Sequence, residues 1–214
     1  SDVVKNFSES DFPKARHLDS VSVPSLRWGI VGDGDIADVF INTLKKHTKQ
    51  QVVGIASKTP GKAAALAAKH GVDKTYDSYE ELCAQKDIDV IYIATLPNTH
   101  LADSLIAINA GKHLLIEKPS TISKSDSKTL YDAAKKANVF AMEAMWSRYL
   151  PQADMMRQML DRGLLGKIEL IQADFGQDAR DVARLWLPGA SIVQDMGIYP
   201  IAFTESILGL PKKI

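Results

Sequence analysis

The feature that most constrains this chain is a glycine-rich turn between an apolar segment and an amphipathic one. Residues 26–31 form an apolar run, residues 32–37 read GDGDIA, and apolar side chains then recur at helical spacing. A strand, a tight glycine turn and a helix in this order predict the first β-α unit of a parallel sheet. In such a turn Gly32 permits the bend, Gly34 lets a pyrophosphate approach the backbone, and Ala37 allows close packing of helix on strand.

Two carboxylates in this turn, Asp33 and Asp35, oppose that interpretation because they would repel a pyrophosphate. We expect both side chains to point to solvent, where screening keeps the penalty below about 1 kcal/mol each. The alternative is a glycine turn with a purely structural role. Its place at the start of a strand–helix series favours phosphate binding, since the amino end of the helix presents unpaired N–H groups.

Strand-like and helical patterns alternate from residue 26 to residue 142. The predicted strands cover residues 26–31, 51–56, a short stretch near 75, 89–94, 113–116 and 139–142. Gly71 ends one predicted helix, a capping box at residues 78–81 opens the next, and Ser123 or Ser125 caps a later one. This alternation predicts a Rossmann-type, doubly wound parallel α/β sheet with right-handed crossovers as a dinucleotide-binding domain over residues 26–148.

The pattern changes after Pro151. A methionine-rich helical segment is followed by residues 167–175, whose alternating side chains predict a half-exposed strand, and by a helix from about Ile198. One strand cannot make a sheet, so residues 149–214 are interpreted as the start of an incomplete α+β substrate and dimerisation domain. Residues 1–25 are polar and serine-rich, and are predicted to be a surface extension.

Composition argues against several classes of function. Lys+Arg and Asp+Glu both number 26, and no basic stripe with interleaved aromatic residues occurs, so no nucleic-acid partner is expected. Apolar runs are far shorter than the ~18–20 residues that span a bilayer, so no membrane partner is expected either. Cys83 is the only cysteine, and no histidine has zinc-site spacing. We therefore expect a cytoplasmic protein without a metal.

The end of the second strand predicts the type of cofactor. An acidic residue there would accept the ribose 2′-hydroxyl of NAD, but the sequence has Ser57, Lys58 and Thr59, with Lys62 one turn later. Hydroxyls and lysines suit a 2′-phosphate, so the expected cofactor is NADP, with NAD as second choice. The alternative is that both lysines are solvated surface residues.

Chemically useful side chains also follow the fourth and fifth strands. Residues 94–100 read ATLPNTH and open a helix at His100, which is equally consistent with a surface histidine. Residues 117–119 read EKP directly after the fifth strand. Lys118 in this position can stabilise developing alkoxide charge or help to transfer a proton. The alternative is a loop lysine in solvent.

Asp195 and Tyr199 form the last candidate pair. They are four residues apart, which places them on one face of an α-helix. A lysine ammonium near a tyrosine phenol stabilises the phenolate and suits the phenol to acid/base chemistry. On these two residues alone, a core position and a helix cap are the simpler explanation.

Together these residues resemble the glucose–fructose oxidoreductase / inositol dehydrogenase superfamily, and within it the dihydrodiol dehydrogenase and D-xylose dehydrogenase branch. The similarity runs from Arg27 to about Gly209 and includes the segments SYEEL at 78–82, EKP at 117–119, MEAMWSRY at 142–149 and DMGIY at 195–199. The last two segments are specific to the branch, because Tyr199 replaces a histidine that is common elsewhere in the superfamily.

The resemblance implies roles for individual residues. Three of them, Lys118, Asp195 and Tyr199, fall on the catalytic positions. The implied cofactor site consists of Gly32, Gly34, Ile36, Ala37, Ser57, Lys58, Thr95, Pro97, Asn98, His100, Glu117, Lys118, Trp146 and Arg148. Trp146 and Arg148 would lie near the nicotinamide.

The resemblance also implies an activity. The expected protein is an NADP-dependent oxidoreductase that transfers hydride between nicotinamide and a hydroxyl of a sugar, such as D-xylose, or of a trans-dihydrodiol. Relatives continue with further strands, and a full-length protein is expected to form a homo-oligomer. Residues 189–194, GASIVQ, depart from the pattern that usually precedes the catalytic aspartate. The alternative is a non-catalytic NADP-binding regulator or an inactive homologue.

Overall fold

The computed structural model describes residues 8–16, 19–186 and 191–213. The described residues form two units. One unit contains residues 19–144 together with Trp186, and the other contains residues 8–16, 145–185 and 191–213. The first seven residues of the predicted extension, and positions 189 and 190 of the departing segment 189–194, lie outside the described residues.

The larger unit is a six-stranded parallel sheet. Its strands are β1 (Arg27–Val31), β2 (Gln51–Ala56), β3 (Lys74–Tyr76), β4 (Val90–Ile93), β5 (His113–Ile116) and β6 (Ala141–Glu143). Their order, β3-β2-β1-β4-β5-β6, is that of a doubly wound Rossmann sheet and confirms the predicted fold class. The direction of winding reverses between β1 and β4, and ligands of such sheets bind beyond the carboxyl ends of the strands at that point.

Five helices connect these strands. They are α1 (Asp35–His47), α2 (Lys62–His70), α3 (Tyr79–Cys83), α4 (His100–Asn109) and α5 (Lys124–Lys136). Ser78 caps α3 by accepting a hydrogen bond from the Glu81 N–H, and Ser123 caps α5 in the same way. Gly71 ends α2 with a φ of +60°. These boundaries agree with the capping signals in the sequence.

Both faces of the sheet are covered, because successive side chains of a strand point to opposite faces. Ile30 and Ile55 are buried against α1 and α2. Their neighbours Val31 and Ala56 are buried in a second cluster with α3, α4 and α5. Every residue of β4 is buried. The loops at the carboxyl ends of β1, β2, β4 and β5 are therefore attached to a closely packed framework.

The smaller unit is helical in its described part. It contains α6 (Pro151–Asp161), α7 (Ile198–Leu208) and a π-helical turn at Val193–Gly197. The strand predicted for residues 167–175 is wrong, because this segment has no regular secondary structure. An alternating pattern forms a strand only against a ladder partner, and Leu170 is accordingly 72% exposed. No helix in the described part of the chain is long and apolar enough to cross a membrane.

Part of the N-terminal extension is attached to α6. The Arg16 N–H donates to Asp154 Oδ2 at 2.7 Å, and Arg16 Nη2 lies 2.8 Å from Asp154 Oδ1. Gln158 Nε2 donates to the Lys14 carbonyl at 2.8 Å. The Arg16 guanidinium holds the pKa of the buried Asp154 carboxyl well below its usual range. Residues 14–16 thus form a defined contact on the surface of the smaller unit.

A second ion pair joins the amino ends of β1 and β4. Arg27 Nη2 lies 2.6 Å from Asp89 Oδ1, and the Arg27 N–H donates to Asp89 Oδ2 at 2.8 Å. The Asp89 N–H donates in return to the Arg27 carbonyl at 2.8 Å. Hydrogen bonds from Arg27 lower the pKa of Asp89 to about 2. Because this carboxyl titrates below its unfolded value of about 3.9, it stabilises the fold above that pH and the stabilisation is lost as the pH falls toward 2.

Replacing Asp89 tests this stabilisation. Asp89→Asn is expected to lower the free energy of unfolding at pH 7 by about 1–3 kcal/mol, because charge-assisted hydrogen bonds are lost. It is also expected to flatten the loss of stability between about pH 4 and pH 2. Urea unfolding over a pH series measures both effects. The control, Asp132→Asn, breaks an exposed pair with Lys128 on α5 and should cost below about 0.5 kcal/mol; equal losses in the two variants would contradict this account.

Candidate cofactor and catalytic site

The glycine turn joins β1 to α1 at the reversal point of the sheet. Gly32 has a φ of +113°, and a Cβ at this residue would lie 2.6 Å from the Ala94 carbonyl oxygen after β4. Gly34 lies directly before α1, and a Cβ there would meet no atom within 4 Å. Ala37 is fully buried. The turn therefore leaves open space in front of the amino end of a helix, which is the arrangement that binds phosphate groups.

The Asp33 carboxylate does not point to solvent as expected. It is half-buried and accepts a hydrogen bond from Ser57 Oγ, just after β2. Ser57 is 3% exposed, and its Oγ accepts from the Thr59 N–H at 3.0 Å. Asp35 is exposed, as expected. The turn thus places a carboxylate beside the end of β2, although the sequence has no acidic residue there.

Lys58 is held by a buried carboxylate and an aromatic ring. Its Nζ lies 3.2 Å from Asp103 Oδ1 and 4.3 Å from the centroid of the Tyr79 ring. Asp103 on α4 is 1% exposed and also accepts from Thr95 Oγ1 at 2.8 Å. Burial, with the charges of Asp103 and Asp33, raises the pKa of Tyr79 to about 12. The Lys58 side chain remains 60% exposed, so it can reach a ligand at the sheet edge.

His100 is fully buried at the start of α4, so the interpretation as a surface histidine is wrong. Its Nδ1 lies 2.8 Å from the Pro119 carbonyl oxygen, and its Nε2 lies 3.0 Å from the Thr95 carbonyl oxygen. The Lys118–Pro119 peptide bond is cis. The imidazole therefore bridges the loops that follow β4 and β5 and fixes their separation.

The loop that carries Lys118 is anchored on both sides. Tyr92 OH donates to Glu117 Oε1, and the Lys118 N–H donates to Glu117 Oε2 at 3.2 Å. The Ser120 N–H donates to Glu143 Oε1 at 2.8 Å. Burial and the charge of Glu117 raise the pKa of Tyr92 above its ordinary value. Lys118 itself is half-buried, and its backbone is held by contacts that do not depend on a ligand.

The predicted cofactor residues of the larger unit share one edge of the sheet. They are Gly32, Gly34, Ile36 and Ala37 after β1, Ser57 and Lys58 after β2, Thr95, Pro97, Asn98 and His100 after β4, and Glu117 and Lys118 after β5. Sequence reasoning missed Asp103, Tyr79 and Glu143, which hold these loops. The one sequence feature that could have indicated a role for Asp103 at this edge was its position one helical turn after His100.

The remaining candidates lie in the smaller unit. Trp146 Nε1 donates to Tyr199 OH at 2.8 Å, and the two rings meet edge to face with centroids 5.7 Å apart. The Phe175 ring lies 4.8 Å from the Tyr199 ring. Arg148 forms an ion pair with Glu205 on α7. Tyr199 is therefore held by an indole N–H and two aromatic rings, a set of contacts that the sequence did not indicate.

Asp195 lies in the π-helical turn that precedes α7. Its N–H donates to the Ser191 carbonyl at 2.9 Å. A π-helical turn is wider than an α-helical one, so the four-residue spacing between Asp195 and Tyr199 does not follow α-helical geometry. The expectation that Asp195 and Tyr199 share one helix face assumed a regular α-helix through both residues. In the structure Asp195 lies in the π-helical turn and only Tyr199 lies in α7.

The structure also bears on metal and thiol chemistry. Within the described ranges, no three or more His, Cys, Asp or Glu side chains converge in a way that would hold a metal ion. Cys83 is buried, and burial raises the pKa of its thiol to about 12. A thiol with so high a pKa carries little thiolate at neutral pH and is a poor nucleophile.

The geometry of the turn predicts different losses of stability for alanine at Gly32 and at Gly34. Gly32→Ala is expected to lower the free energy of unfolding by roughly 1–3 kcal/mol, because an alanine there is strained and its Cβ meets a backbone carbonyl. Gly34→Ala is the matched control: its φ of −79° suits any residue, and its Cβ meets open space. Its stability should change by less than about 0.5 kcal/mol. Urea unfolding measures the free energy of unfolding of both variants. Equal losses would contradict the close contact between residue 32 and the Ala94 carbonyl.

Comparison with known proteins agrees with the fold and the motifs. Residues 26–145 match a family described as "Oxidoreductase family, NAD-binding Rossmann fold", and residues 154–214 match the GFO/IDH/MocA C-terminal domain. The chain is 35% identical over 196 residues to trans-1,2-dihydrobenzene-1,2-diol dehydrogenase of Bos taurus, covering 89% of this chain and 58% of the relative. The protein of that name from Homo sapiens is 35% identical over 198 residues, covering 89% of this chain and 59% of the relative.

Solved structures share the fold at lower identity. Scyllo-inositol dehydrogenase from Lactobacillus casei, with bound NAD(H) and scyllo-inositol, is 21% identical with a TM-score of 0.78, over 87% of this chain and 57% of that chain. Myo-inositol 2-dehydrogenase from Lactobacillus plantarum is 21% identical with a TM-score of 0.77, over 87% of this chain and 57% of that chain. This chain therefore spans less than two-thirds of the length of these relatives. The resemblance seen in the sequence is confirmed: the chain belongs to the GFO/IDH/MocA family of oxidoreductases.

Proposed function

We propose that this chain binds NADP(H) at the carboxyl edge of its sheet, and that a full-length protein containing it acts as a dehydrogenase on a hydroxyl of a sugar or a trans-dihydrodiol. The observation that carries the proposal is the meeting of three loops at this edge, because the glycine turn and the Lys118 loop both contact the loop after β4. The glycine turn leaves open space before α1, and the Lys118 loop is tied to the neighbouring β4 loop through His100. A phosphate-binding turn and an anchored lysine at one edge suit nicotinamide-dependent chemistry on a hydroxyl.

The residues present fit a dinucleotide. In the proposed arrangement the pyrophosphate binds at Gly32, Gly34 and the first N–H groups of α1, where an added Cβ on Gly34 would meet no atom within 4 Å. The 60% exposed Lys58 is assigned to the 2′-phosphate. Ser57, which donates its hydroxyl hydrogen to Asp33, is assigned to the wall of the same subsite. Further contacts are assigned to Ile36, Thr95, Pro97, Asn98, Glu117, Trp146 and Arg148. The fully buried Ala37 and His100 are assigned to the site as residues that support its loops.

The proposed chemistry assigns a role to each catalytic residue. The nicotinamide ring supplies or accepts the hydride when it is bound. The Lys118 ammonium stabilises negative charge on the substrate oxygen, and the Tyr199 phenol transfers the hydroxyl proton. Asp195 is the third residue that the resemblance places at a catalytic position. The indole N–H of Trp146 lies 2.8 Å from the Tyr199 oxygen and holds the phenol in one orientation.

The substrate class rests on the relatives and the motifs. Both curated relatives are named for a trans-dihydrodiol of benzene, and the branch motifs also resemble D-xylose dehydrogenases. Vicinal hydroxyls are common to both substrates. A protein that binds the cofactor and turns over neither substrate would instead fit a non-catalytic NADP-binding regulator.

Two features of the chain support proposals for its location and assembly. A lone, buried Cys83 suits the reducing cytoplasm, so we propose a cytoplasmic protein. Large apolar side chains are exposed on α7, including Ile201 at 61% and Leu208 at 54%. Exposed apolar surface of this kind favours self-association of this 214-residue chain, and the homo-oligomer proposed for a full-length protein rests on the resemblance.

Cofactor titrations test the first part of the proposal. NADPH is expected to bind at least roughly tenfold more tightly than NADH, or ~1.4 kcal/mol, because Lys58 faces the 2′-phosphate. Lys58→Ala should remove most of this difference and leave NADH binding nearly unchanged. Lys128→Ala, which removes an exposed lysine on α5, is the matched control. Equal dissociation constants for the two cofactors, measured by fluorescence quenching, would overturn the NADP assignment.

A second experiment tests Lys118. In an active full-length version of the protein, Lys118→Met is expected to reduce turnover of D-xylose or a trans-dihydrodiol by roughly 10²-fold or more, because a positioned acid/base or electrostatic group is lost. The dissociation constant for NADPH should stay within about threefold of the unchanged protein. Lys124→Met, at the exposed start of α5, is the control. Turnover near that of the unchanged protein would remove Lys118 from the mechanism.

A further inference from the structure

We propose that Asp33 is a specificity-determining residue that opposes Lys58 in the choice between NADP and NAD. Its carboxylate would accept the ribose 2′-hydroxyl of NAD and repel the 2′-phosphate of NADP. The inference rests on the proposed function, because it assumes that a dinucleotide binds at the glycine turn. It concerns a residue of the turn and not of the end of β2, where acidic selectors are ordinarily found.

The position of Asp33 is the first argument. Ser57 Oγ donates to Asp33 Oδ2, and Ser57 is 3% exposed immediately after β2. This hydrogen bond holds the carboxylate at the corner where β2 ends and where the adenosine ribose of a dinucleotide lies. A carboxylate has two oxygens with about four acceptor sites, so the bond to Ser57 leaves capacity for a ribose hydroxyl.

The charges around Asp33 are the second argument. Lys58 supplies the cation after β2, but its Nζ lies 3.2 Å from the buried Asp103 on α4. Part of the lysine charge is therefore already neutralised before any ligand arrives. A phosphate group with a charge of about −2 would meet this paired lysine and the Asp33 carboxylate together. Asp33 is half-buried, so solvent screens its repulsion incompletely.

The other carboxylate of the turn provides a matched comparison. Asp35 is exposed and is the first residue of α1. Asp35 lies where the pyrophosphate is proposed to bind, so its charge would repel a group that NADP and NAD have in common. Asp35 is therefore expected to affect both cofactors by the same factor, whereas Asp33 is expected to affect the two cofactors differently.

The test uses Asp33→Asn and Asp35→Asn in the whole 214-residue chain. Asp33→Asn keeps an oxygen that accepts from Ser57 and removes the charge. We expect the ratio of the NADH to the NADPH dissociation constant to rise at least about tenfold, or ~1.4 kcal/mol, mainly through tighter NADPH binding. Asp35→Asn should leave this ratio within about twofold of its original value. Fluorescence titration with each cofactor measures both dissociation constants.

An unchanged ratio in Asp33→Asn, or an equal rise in Asp35→Asn, would overturn the inference. Thermal unfolding is measured for both variants. If Asp33→Asn unfolds more easily than the unchanged chain, the dissociation constants of Asp33→Ser are measured instead, since this variant also removes the charge. A rise of the NADH to NADPH dissociation-constant ratio in that variant supports the inference, and an unchanged ratio overturns it.

Lys58→Ala separates this inference from the proposed function. If Lys58→Ala leaves NADPH binding unchanged while Asp33→Asn raises the ratio, the lysine assignment is wrong and the role of Asp33 stands. If Lys58→Ala weakens NADPH binding while Asp33→Asn has no effect, only the role of Asp33 is overturned. If the unchanged chain binds neither cofactor, both are wrong.

Discussion

The parallel pairing of β1 with β2 on one side and β4 on the other is the interaction on which the rest of this structure depends. Hydrogen bonds of the ladder continue past the strands: the Gly32 N–H donates to the Ala56 carbonyl at 3.0 Å, and the Ala94 N–H donates to the Val31 carbonyl at 2.8 Å. The glycine turn and the β4 loop are thus drawn so close together that only glycine fits at position 32. The shape of the site follows from the sheet.

Polar side chains, two of them buried and Glu143 half-buried, then hold the loops around this edge. His100, Asp103 and Glu143 each bond to a neighbouring loop, two of them to backbone groups. A buried polar group left without a partner costs about 1–3 kcal/mol, so movement of these loops would sacrifice several such bonds at once. The same bonds that satisfy buried groups therefore keep Lys118 and Lys58 in place before any ligand binds.

The sequence was sufficient for features that depend on local pattern and insufficient for those that depend on distant partners. The six strands, the Ser78 cap and the Gly71 helix end were predictable because periodicity and capping act within a few residues. The segment 167–175 was not, because a strand needs a ladder partner. The contacts of Asp33, Asp103 and Glu143 join residues 24, 45 and 23 positions apart, respectively, which no local motif records.

Asp33 shows why that distinction matters for the cofactor. A rule that reads the selector from the end of β2 finds only Ser57 and Lys58 there, and it predicts NADP. What the rule requires, however, is a carboxylate near the end of β2, whichever segment supplies it. Asp33 of the turn after β1 is held there by its hydrogen bond from Ser57. Lys58, for its part, is paired with Asp103. In the proposed arrangement, the preference for one cofactor is a balance between the attraction of one partly neutralised lysine and the repulsion of one incompletely screened carboxylate.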